Sequence, residues 1–252
     1  MALSRNQLLT YLNDIYQSSL FADFCPNGLQ IEGSDGVTRV ATAVTASLET
    51  IKQAVELNVQ ALVVHHGLFW HHDSQIITGS KREKIALLLQ HNISLFTYHL
   101  PMDAHATIGN NWKAAYDLGL EELEPFSKHN NFFIGVKGKL PALPRMEWQK
   151  RLEDYYGHQA VTALGGRESI SSAAIISGGA YKQLQEAAVE GLDAFITGNF
   201  DEPAWSQAFE GKINFYALGH AATERVGPKA LAEVLQKDLK VKCFFIQDSN
   251  PF

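Results

Sequence analysis

Three short stretches of the sequence combine histidine with another side chain that can bind a metal ion: His65-His66, His99 with Asp103, and His220 with Glu224. Imidazole and carboxylate donors together suit zinc, iron, manganese, nickel or cobalt, and they disfavour calcium and thiolate-type sites. Two such ions about 3.5–4 Å apart, bridged by a carboxylate, form the arrangement used for hydrolytic displacement. The residue types therefore predict a divalent-metal site.

Each of the three stretches alone supports a metal site only weakly, because a histidine at the end of a strand is usually a hydrogen-bonded structural residue. The prediction rests on a coincidence: three predicted strand ends carry histidine, and two of them carry an acid four residues later. On a helix, that spacing puts both side chains on one face. The histidines without such an acid are interpreted as surface or supporting groups: His71, His72, His91, His129 and His158. His105, two residues beyond Asp103, fits either interpretation.

His65 and His66 are adjacent in sequence, and adjacent side chains of a regular strand point to opposite faces. Both can serve one ion only if the chain turns there, which Gly67 permits. Alternatively, each histidine binds a different ion and a carboxylate is shared between the two ions. The second arrangement fits strand geometry better, so we expect two metal ions, each bound by one of these histidines.

The apolar pattern predicts elements that position these groups. Residues 61–64 form an apolar run typical of a strand buried on both faces of a parallel sheet, and the run leads directly into His65. With a strand at 37–44 and a helix at 47–57, it forms a βαβ unit with parallel strands. Ligands of open α/β sheets bind at the carboxyl ends of the strands, which is where the histidines are placed.

Further elements follow along the chain. Ser4 and Gln7 match a capping box before a helix at 5–17, and residues 23–30 are interpreted as a turn-rich loop. The remaining predicted helices lie at 81–91, 111–118, 144–155 and 221–235, the last broken at 227–228, and the remaining predicted strands lie at 93–98, 132–136, 213–217 and 241–246.

A second βαβ unit is predicted from a strand at 172–176, a helix at 181–190 and a strand at 194–197. It matches the first unit at an offset of 133 positions, which indicates either an internal duplication or chance similarity between βαβ units. In this alignment Gly198 and Asn199 replace the two histidines. The second copy would then lack the metal site.

The predicted fold class is α/β, with two similar α/β domains from an internal duplication and mostly parallel or mixed sheets covered by helices. We expect a discontinuous metal-site domain formed by residues 1–125 and 213–252, and an inserted second domain at 126–212.

Composition narrows the class of protein. The chain has 252 residues, a net charge of -6 and two cysteines, Cys25 and Cys243, which are too far apart for a metal motif. The basic residues are scattered, which argues against binding of a nucleic-acid polymer. No signal peptide or membrane span is recognised. We therefore expect a cytoplasmic protein with free thiols and no membrane partner.

The stretches around the candidate ligands resemble the signatures of the GTP cyclohydrolase 1 type 2 homologue family, also called the Nif-three-like family. The resemblance is carried by residues 63–70 (VVHHGLFW), 98–105 (YHLPMDAH) and 219–224 (GHAATE). Shorter similarities at 27–30 (NGLQ), 109–111 (GNN) and 196–198 (ITG) extend it over nearly the whole chain, in the right order. The chain is most similar to the short bacterial members.

The resemblance implies a two-domain α/β protomer in a toroidal homohexamer, with a dinuclear metal site facing the inner cavity. It implies the metal ligands His65, His66, Asp103, His220 and Glu224, with Glu224 bridging both ions and His99 as a nearby site residue. One position departs from the family. Many members have an acid where this chain has Asn199, with Asp201 and Glu202 just beyond, so any role of that loop is left open.

Two functions are compatible with these residues. The first is a metal-dependent hydrolase that acts on a nucleotide or other small molecule through a metal-activated water, with His99 as the catalytic group that moves a proton. The second is a non-enzymatic metal carrier, sensor or regulatory scaffold. The sequence contains no Walker or Rossmann glycine motif, so a nucleotide would have to be held through the metal ions.

Overall fold

The computed structural model describes residues 3–252, which fall into two compact units. The first unit contains the chain up to Met102 together with Gly227–Ser249, and the second contains Asp103–Val226 and Asn250–Phe252. The chain thus leaves the first unit, completes most of the second and returns. These division points differ from the domain boundaries expected after residue 125 and before residue 213.

The first unit contains the amino-terminal strands and one strand from near the end of the chain. Its strands are β1 (Leu3–Ser4), β2 (Gly28–Ile31), β3 (Gly36–Val37), β4 (Arg39–Thr45), β5 (Ala61–His66), β6 (Ser94–Thr97) and β13 (Lys242–Phe245). Its helices are α1 (Arg5–Tyr16), α2 (Leu48–Glu56), α3 (Gly79–Gln90), α4 (Leu100–Ala104) and α10 (Val226–Leu239), of which α4 and α10 include residues at the division points.

A five-stranded sheet in the order β13-β4-β5-β6-β2 forms the centre of this unit. The first four strands are parallel and β2 is antiparallel to β6. Because β5 lies in the middle, Ala61–Val64 is completely buried. The predicted βαβ unit is confirmed as β4, α2 and β5. The prediction of a loop at 23–30 is wrong for residues 28–30, because β2 begins at Gly28, which pairs with Thr97.

Local sequence explains why α1 begins where it does. The Gln7 amide N–H donates to Ser4 Oγ at 3.1 Å, and the Ser4 amide N–H donates to Gln7 Oε1 at 2.8 Å. This is the predicted capping box, which satisfies two amide groups that a helix start leaves unpaired. Helix α1 then buries Leu8, Leu12 and Tyr16 at helical spacing.

The second unit is built on a larger, mixed sheet. Its strands are β7 (Glu121–His129), β8 (Phe132–Pro144), β9 (Val161–Leu164), β10 (Ser169–Ile175), β11 (Ala194–Thr197) and β12 (Asn214–Ala217). Its helices are α5 (Asn110–Asp117), α6 (Arg145–Tyr156), α7 (Leu184–Val189), α8 (Pro203–Glu210) and α9 (His220–Thr223).

The strand order in this sheet is β7-β8-β10-β11-β12-β9. Strands β10, β11 and β12 are parallel, so their carboxyl ends lie at one edge. The other pairings are antiparallel. The core on one face surrounds Trp148, which is fully buried with Leu152 and Tyr216. The second predicted βαβ unit is confirmed as β10, α7 and β11.

The two units share the βαβ motif, but their sheets differ in strand number and order. The α/β fold class with helix-covered, partly parallel sheets is therefore confirmed, whereas the internal duplication stays a prediction. None of the described helices is both long and apolar enough to span a lipid bilayer.

Candidate functional site

The first set of candidate ligands lies at the carboxyl end of β5. His65 is completely buried, and His66, the last residue of the strand, is half-buried. The Nδ1 atom of His66 lies 3.1 Å from Thr45 Oγ1 on the neighbouring strand β4. This contact fixes the ring of His66 relative to the sheet.

The expectation that the two imidazoles diverge is wrong. Their ring centroids are 4.5 Å apart, with an angle of 47° between the planes. His66 stands at the very end of β5, where the pairing with β4 ends at Thr45 and Gly67 follows, so the strict alternation of a strand no longer fixes its direction. The two rings are thus adjacent, and the choice between one ion and two is no longer decided by strand geometry.

His99 completes a group of three histidines in the first unit. It follows β6 by two residues, and its ring centroid lies 4.9 Å from that of His65 and 5.6 Å from that of His66. One nitrogen from each ring can be chosen so that all three lie within 4.8 Å of one another. We call His65, His66 and His99 the histidine triad; its nitrogen donors suit a divalent transition-metal ion.

The orientation of His99 is set by the loop before β2. Asp23 Oδ1 lies 2.7 Å from His99 Nδ1, and the backbone N–H of His99 donates to Asn27 Oδ1 at 2.8 Å. With Nδ1 directed at a carboxylate, the Nε2 atom of His99 is the one directed away from Asp23. The pair has the form of an imidazole oriented by a carboxylate, which promotes proton transfer at the other ring nitrogen.

Asp23 is itself held by several donors. Its carboxylate accepts hydrogen bonds from the amide of Leu100 at 2.9 Å and from Asn27 Nδ2 at 2.9 Å. Burial, the strongest single influence, raises the pKa of Asp23, but the hydrogen bond and charge of His99, with the donors of Asn27 and Leu100, hold the pKa below its usual value. Asp23 is therefore a carboxylate at neutral pH.

Sequence reasoning missed Asp23 and assigned Asn27 only to a segment of the resemblance. Both lie in the stretch interpreted as a plain loop, about 75 positions before the histidine that they hold. Nothing in the local sequence predicts such a distant partner. The four-residue spacing of Asp23 and Asn27, which allows the hydrogen bond between their side chains, is the signal that singles them out in retrospect.

Cys25 lies near this pair but is a poor metal ligand. Its sulfur, one oxygen of Asp23 and one nitrogen of His99 fall within 4.8 Å of one another, so position alone allows an ion. However, burial, helped by the charge of Asp23, raises the pKa of the Cys25 thiol to about 12. Because the thiolate is the form that binds metal, the raised pKa disfavours Cys25 as a ligand despite its position. Cys25 is a free, buried thiol, as expected.

In the second unit, Asp103 is held in a buried polar network. It is 7% exposed, and its Oδ1 atom accepts hydrogen bonds from Asn110 Nδ2 at 2.8 Å and Ser177 Oγ at 2.9 Å. The Ser177 amide donates to Asn111 Oδ1 at 2.7 Å. A carboxylate oriented by such donors is the kind of group that presents an oxygen in a fixed direction to a cation.

His220 and Glu224 lie on one face of the short helix α9 and its end, as the four-residue spacing predicts. His220 Nε2 is 3.2 Å from Glu224 Oε1, and Glu224 is 3% exposed. A buried carboxylate beside an imidazole provides the mixed oxygen and nitrogen donors that divalent transition metals accept.

Gly178 makes room for this pair, and sequence reasoning missed it. A Cβ atom at this position would stand 2.2 Å from Glu224 Oε1 and 3.2 Å from His220 Nε2, and the backbone has a φ of +65°. Only glycine accepts both conditions without strain. Two successive glycines after β10 are the sequence signal that could have indicated a close approach at this point.

The remaining candidates have structural or surface positions. His105 Nδ1 accepts the amide hydrogens of Thr107 and Ile108, both at 3.2 Å, so it closes the turn before α5, and burial lowers its pKa. Asp201 accepts from the Tyr181 hydroxyl at the surface. Among the other histidines and acids considered from the sequence, the exposed side chains are those of His71, His72, His91, Asp201 and Glu202.

The chain matches a known protein family along nearly its whole length. The family model described as Duf34/NIF3 (NGG1p interacting factor 3) matches residues 3–251. The chain is 49% identical over 247 residues to a protein of Chlamydia pneumoniae named "GTP cyclohydrolase 1 type 2 homolog", covering 97% of this chain and 98% of that one. A protein of Neisseria meningitidis serogroup A with the same name is 37% identical over 247 residues, covering 98% of both chains.

Solved structures agree with this assignment. The protein ybgI, described as of unknown function, has a TM-score of 0.94 and 35% identity, covering 99% of this chain and 100% of its own. The protein TTHA1606 from Thermus thermophilus has a TM-score of 0.92 and 31% identity, again covering 99% and 100%. The resemblance drawn from the sequence motifs is confirmed.

Proposed function

The chain belongs to the Duf34/NIF3 family, and from that premise we propose that it is a divalent-metal-dependent hydrolase that acts on a nucleotide or other small molecule. The observation that carries the proposal is the histidine triad at the carboxyl ends of β5 and β6, with His99 oriented by Asp23. A cluster of imidazoles with one member paired to a carboxylate combines metal donors with a group that can move a proton.

The proposed ligands are His65 and His66 in the first unit and Asp103, His220 and Glu224 in the second. The donor chemistry of each unit supports this set: imidazole nitrogens within 4.8 Å in the first, and buried, hydrogen-bonded carboxylates in the second. We propose two divalent ions per subunit, chosen from zinc, iron, manganese, nickel and cobalt. Such ions, when bound, supply Lewis acidity that lowers the pKa of water and polarises oxygen atoms of a substrate.

His99 has the role of a proton carrier in this proposal. Asp23 orients its ring through Nδ1, so that Nε2 is the atom that accepts or donates a proton. Trp70 lies edge-on to His99, with centroids 5.1 Å apart, and limits the rotation of the ring. A base fixed in this way transfers protons without first reorienting.

Nucleotides are the first substrates to test, because the relatives from Chlamydia and Neisseria carry the name "GTP cyclohydrolase 1 type 2 homolog". The experiment is turnover of a panel of nucleotides by metal-loaded protein, comparing the unsubstituted chain with Glu224→Ala. Glu210→Ala, at the exposed end of α8, is the matched control. We expect turnover by the unsubstituted chain and the control, and loss of it in Glu224→Ala.

Equal rates for Glu224→Ala and the unsubstituted chain would refute the hydrolase proposal. Stoichiometric metal binding without turnover of any compound would instead favour the carrier, sensor or scaffold.

A further inference from the structure

The second unit contains a cavity of about 520 Å³ that borders one candidate ligand, His220, and is otherwise lined by residues to which the proposed function assigns no role. It lies where β11 and β12 end, next to Gly198, Asn199 and Gly219. Open α/β sheets bind ligands at the carboxyl ends of their parallel strands. The cavity also falls within the range of about 300–1,000 Å³ that small-molecule sites occupy.

The walls of the cavity are mainly aromatic and apolar. Phe200 and Phe252 contribute rings, Val161 and Ala217 contribute aliphatic surface, and His158 contributes an imidazole. His158 is fixed by carbonyl oxygens on both ring nitrogens, Gln159 O at 2.7 Å and Pro251 O at 2.9 Å. Rings of this kind favour a flat, unsaturated ligand, because flat π-systems stack on them.

Two glycines keep the floor of the cavity open. A Cβ atom at Gly219 would stand 2.8 Å from His158 Cδ2, and one at Gly198 would stand 2.7 Å from His220 Cα. The backbone at Gly219 has a φ of +87°. A second hollow of about 200 Å³ shares Val161 and Phe200 with the first and extends to Trp205, so the space continues along the sheet edge.

The amide of Asn199 is the polar group in this cavity without a complete set of partners. Its Oδ1 atom is buried and has no hydrogen-bond partner among the described residues. Buried carbonyl oxygens in folded proteins are nearly always hydrogen-bonded, and an exception calls for an explanation. A ligand in the cavity that hydrogen-bonds to the side-chain amide of Asn199, with the amide turned towards it, provides one.

We propose that this cavity binds a planar, nitrogen-containing aromatic ring of the nucleobase type, which stacks on Phe200 and hydrogen-bonds to the side-chain amide of Asn199. The proposal rests on the proposed function, since the ring would belong to the substrate of the hydrolase. Asn199 is then a specificity-determining residue: a ligand without a polar group facing the amide leaves the amide unpaired, which is how buried polar groups reject analogues.

The test uses nucleosides, which lack phosphate groups and so cannot be held through phosphate by metal ions. Guanosine, adenosine, cytidine and uridine are titrated by calorimetry into the full chain, both metal-loaded and chelator-treated. We expect at least one nucleoside to saturate the chelator-treated protein. Asn199→Leu, which keeps the size of the side chain but removes its polar atoms, should weaken that binding at least tenfold.

A second pair of variants tests the cavity itself. Val161→Trp fills the space from the edge strand β9 and should abolish nucleoside binding. Val189→Trp, at a fully solvated valine of α7 with 88% exposure, is the matched control and should bind as the unsubstituted chain does. Both substitutions are at exposed positions, so loss of folding is not the expected result, and a thermal melt checks it.

The proposal would be overturned if none of the four nucleosides saturated the protein. It would also be overturned if Asn199→Leu and Val161→Trp bound nucleoside with the affinity of the unsubstituted chain. These results are distinguishable from failure of the hydrolase. Nucleoside binding that depends on Asn199, in a protein that turns over no nucleotide, supports the cavity and refutes only the reaction. Turnover that is insensitive to Val161→Trp supports the reaction and refutes the cavity.

Discussion

At the histidine triad, a carboxylate from a loop distant in sequence sets the direction of the His99 ring. His99 is oriented by Asp23, and Asp23 is held by the amide of Leu100 and by Asn27. The candidate ligands could be proposed from the sequence, because histidines at predicted strand ends and acids four residues later are visible in a single sequence. Asp23 was not predictable, since its role depends on a tertiary contact that no local pattern encodes.

Asp23→Asn keeps the shape of the side chain and removes its charge. We expect the variant to bind metal as the unsubstituted chain does but to turn over substrate at least about 10²-fold more slowly, because a general base loses its orienting partner. The exposed Asp35→Asn is the control. Steady-state kinetics and metal content, measured on the same samples, separate the two effects; a rate equal to that of Asp35→Asn would remove Asp23 from the mechanism.

The lowered pKa of Asp23 also predicts how stability depends on pH. The pKa of Asp23 is lower in the folded than in the unfolded state, so its carboxylate stabilises the fold at pH values above the unfolded-state pKa of about 3.9. That contribution is lost as the pH falls through the folded-state pKa. Urea unfolding of metal-free protein between pH 6 and pH 3 should therefore show a steeper loss of stability for the unsubstituted chain than for Asp23→Asn. Parallel curves would contradict the lowered pKa.

Elements with strong local signals were predictable, and elements that depend on pairing were not. The capping box of α1 follows from the spacing of Ser4 and Gln7, and both βαβ units follow from the periodicity of apolar residues. Strand β9 has only four residues and is defined by its antiparallel pairing with β12. Strand β7 was not predicted, because the expected end of the first domain at residue 125 falls inside it. The position of His65 and His66 at the carboxyl end of β5 was predicted from the sequence. The close approach of their two imidazole rings was not.

The turn after β10 gives a prediction at this scale. Gly178→Ala and Gly191→Ala both place a side chain at positive φ, +65° and +73°, but only the first meets Glu224; a Cβ at Gly191 would meet nothing within 4 Å. Each variant should lose about 1 kcal/mol of unfolding free energy through backbone strain. Gly178→Ala alone should also lose metal affinity, measured by competition with a chelator. Equal metal affinity in the two variants would contradict the role of Glu224.

At the scale of the whole molecule, the chain returns to its first unit near its end. Strand β13 pairs with β4 about 200 positions earlier, so the first unit contains a strand from near the end of the chain. The exact division points were not predictable, because the unit to which β12 belongs depends on its pairing with β11 and β9, which no local pattern encodes. They are assigned only by the sheets and cores that they join.

The assembly expected from the resemblance is a homohexamer, and it stays a proposal. Light scattering coupled to size-exclusion chromatography should give six times the mass of one chain. The same measurement with and without added metal shows whether assembly depends on the ions. A monomeric mass at micromolar concentration would contradict the hexamer and leave the metal site to be judged separately.

The central claim is that the paired histidines at the end of β5 bind divalent metal. The chain contains its own control, because His71 and His72 form a second adjacent pair that is exposed to solvent. Metal content is measured by mass spectrometry of the elements after purification in parallel. We expect His65→Ala/His66→Ala to lose most of its bound metal and His71→Ala/His72→Ala to retain it. Equal metal content in the two variants would contradict the claim.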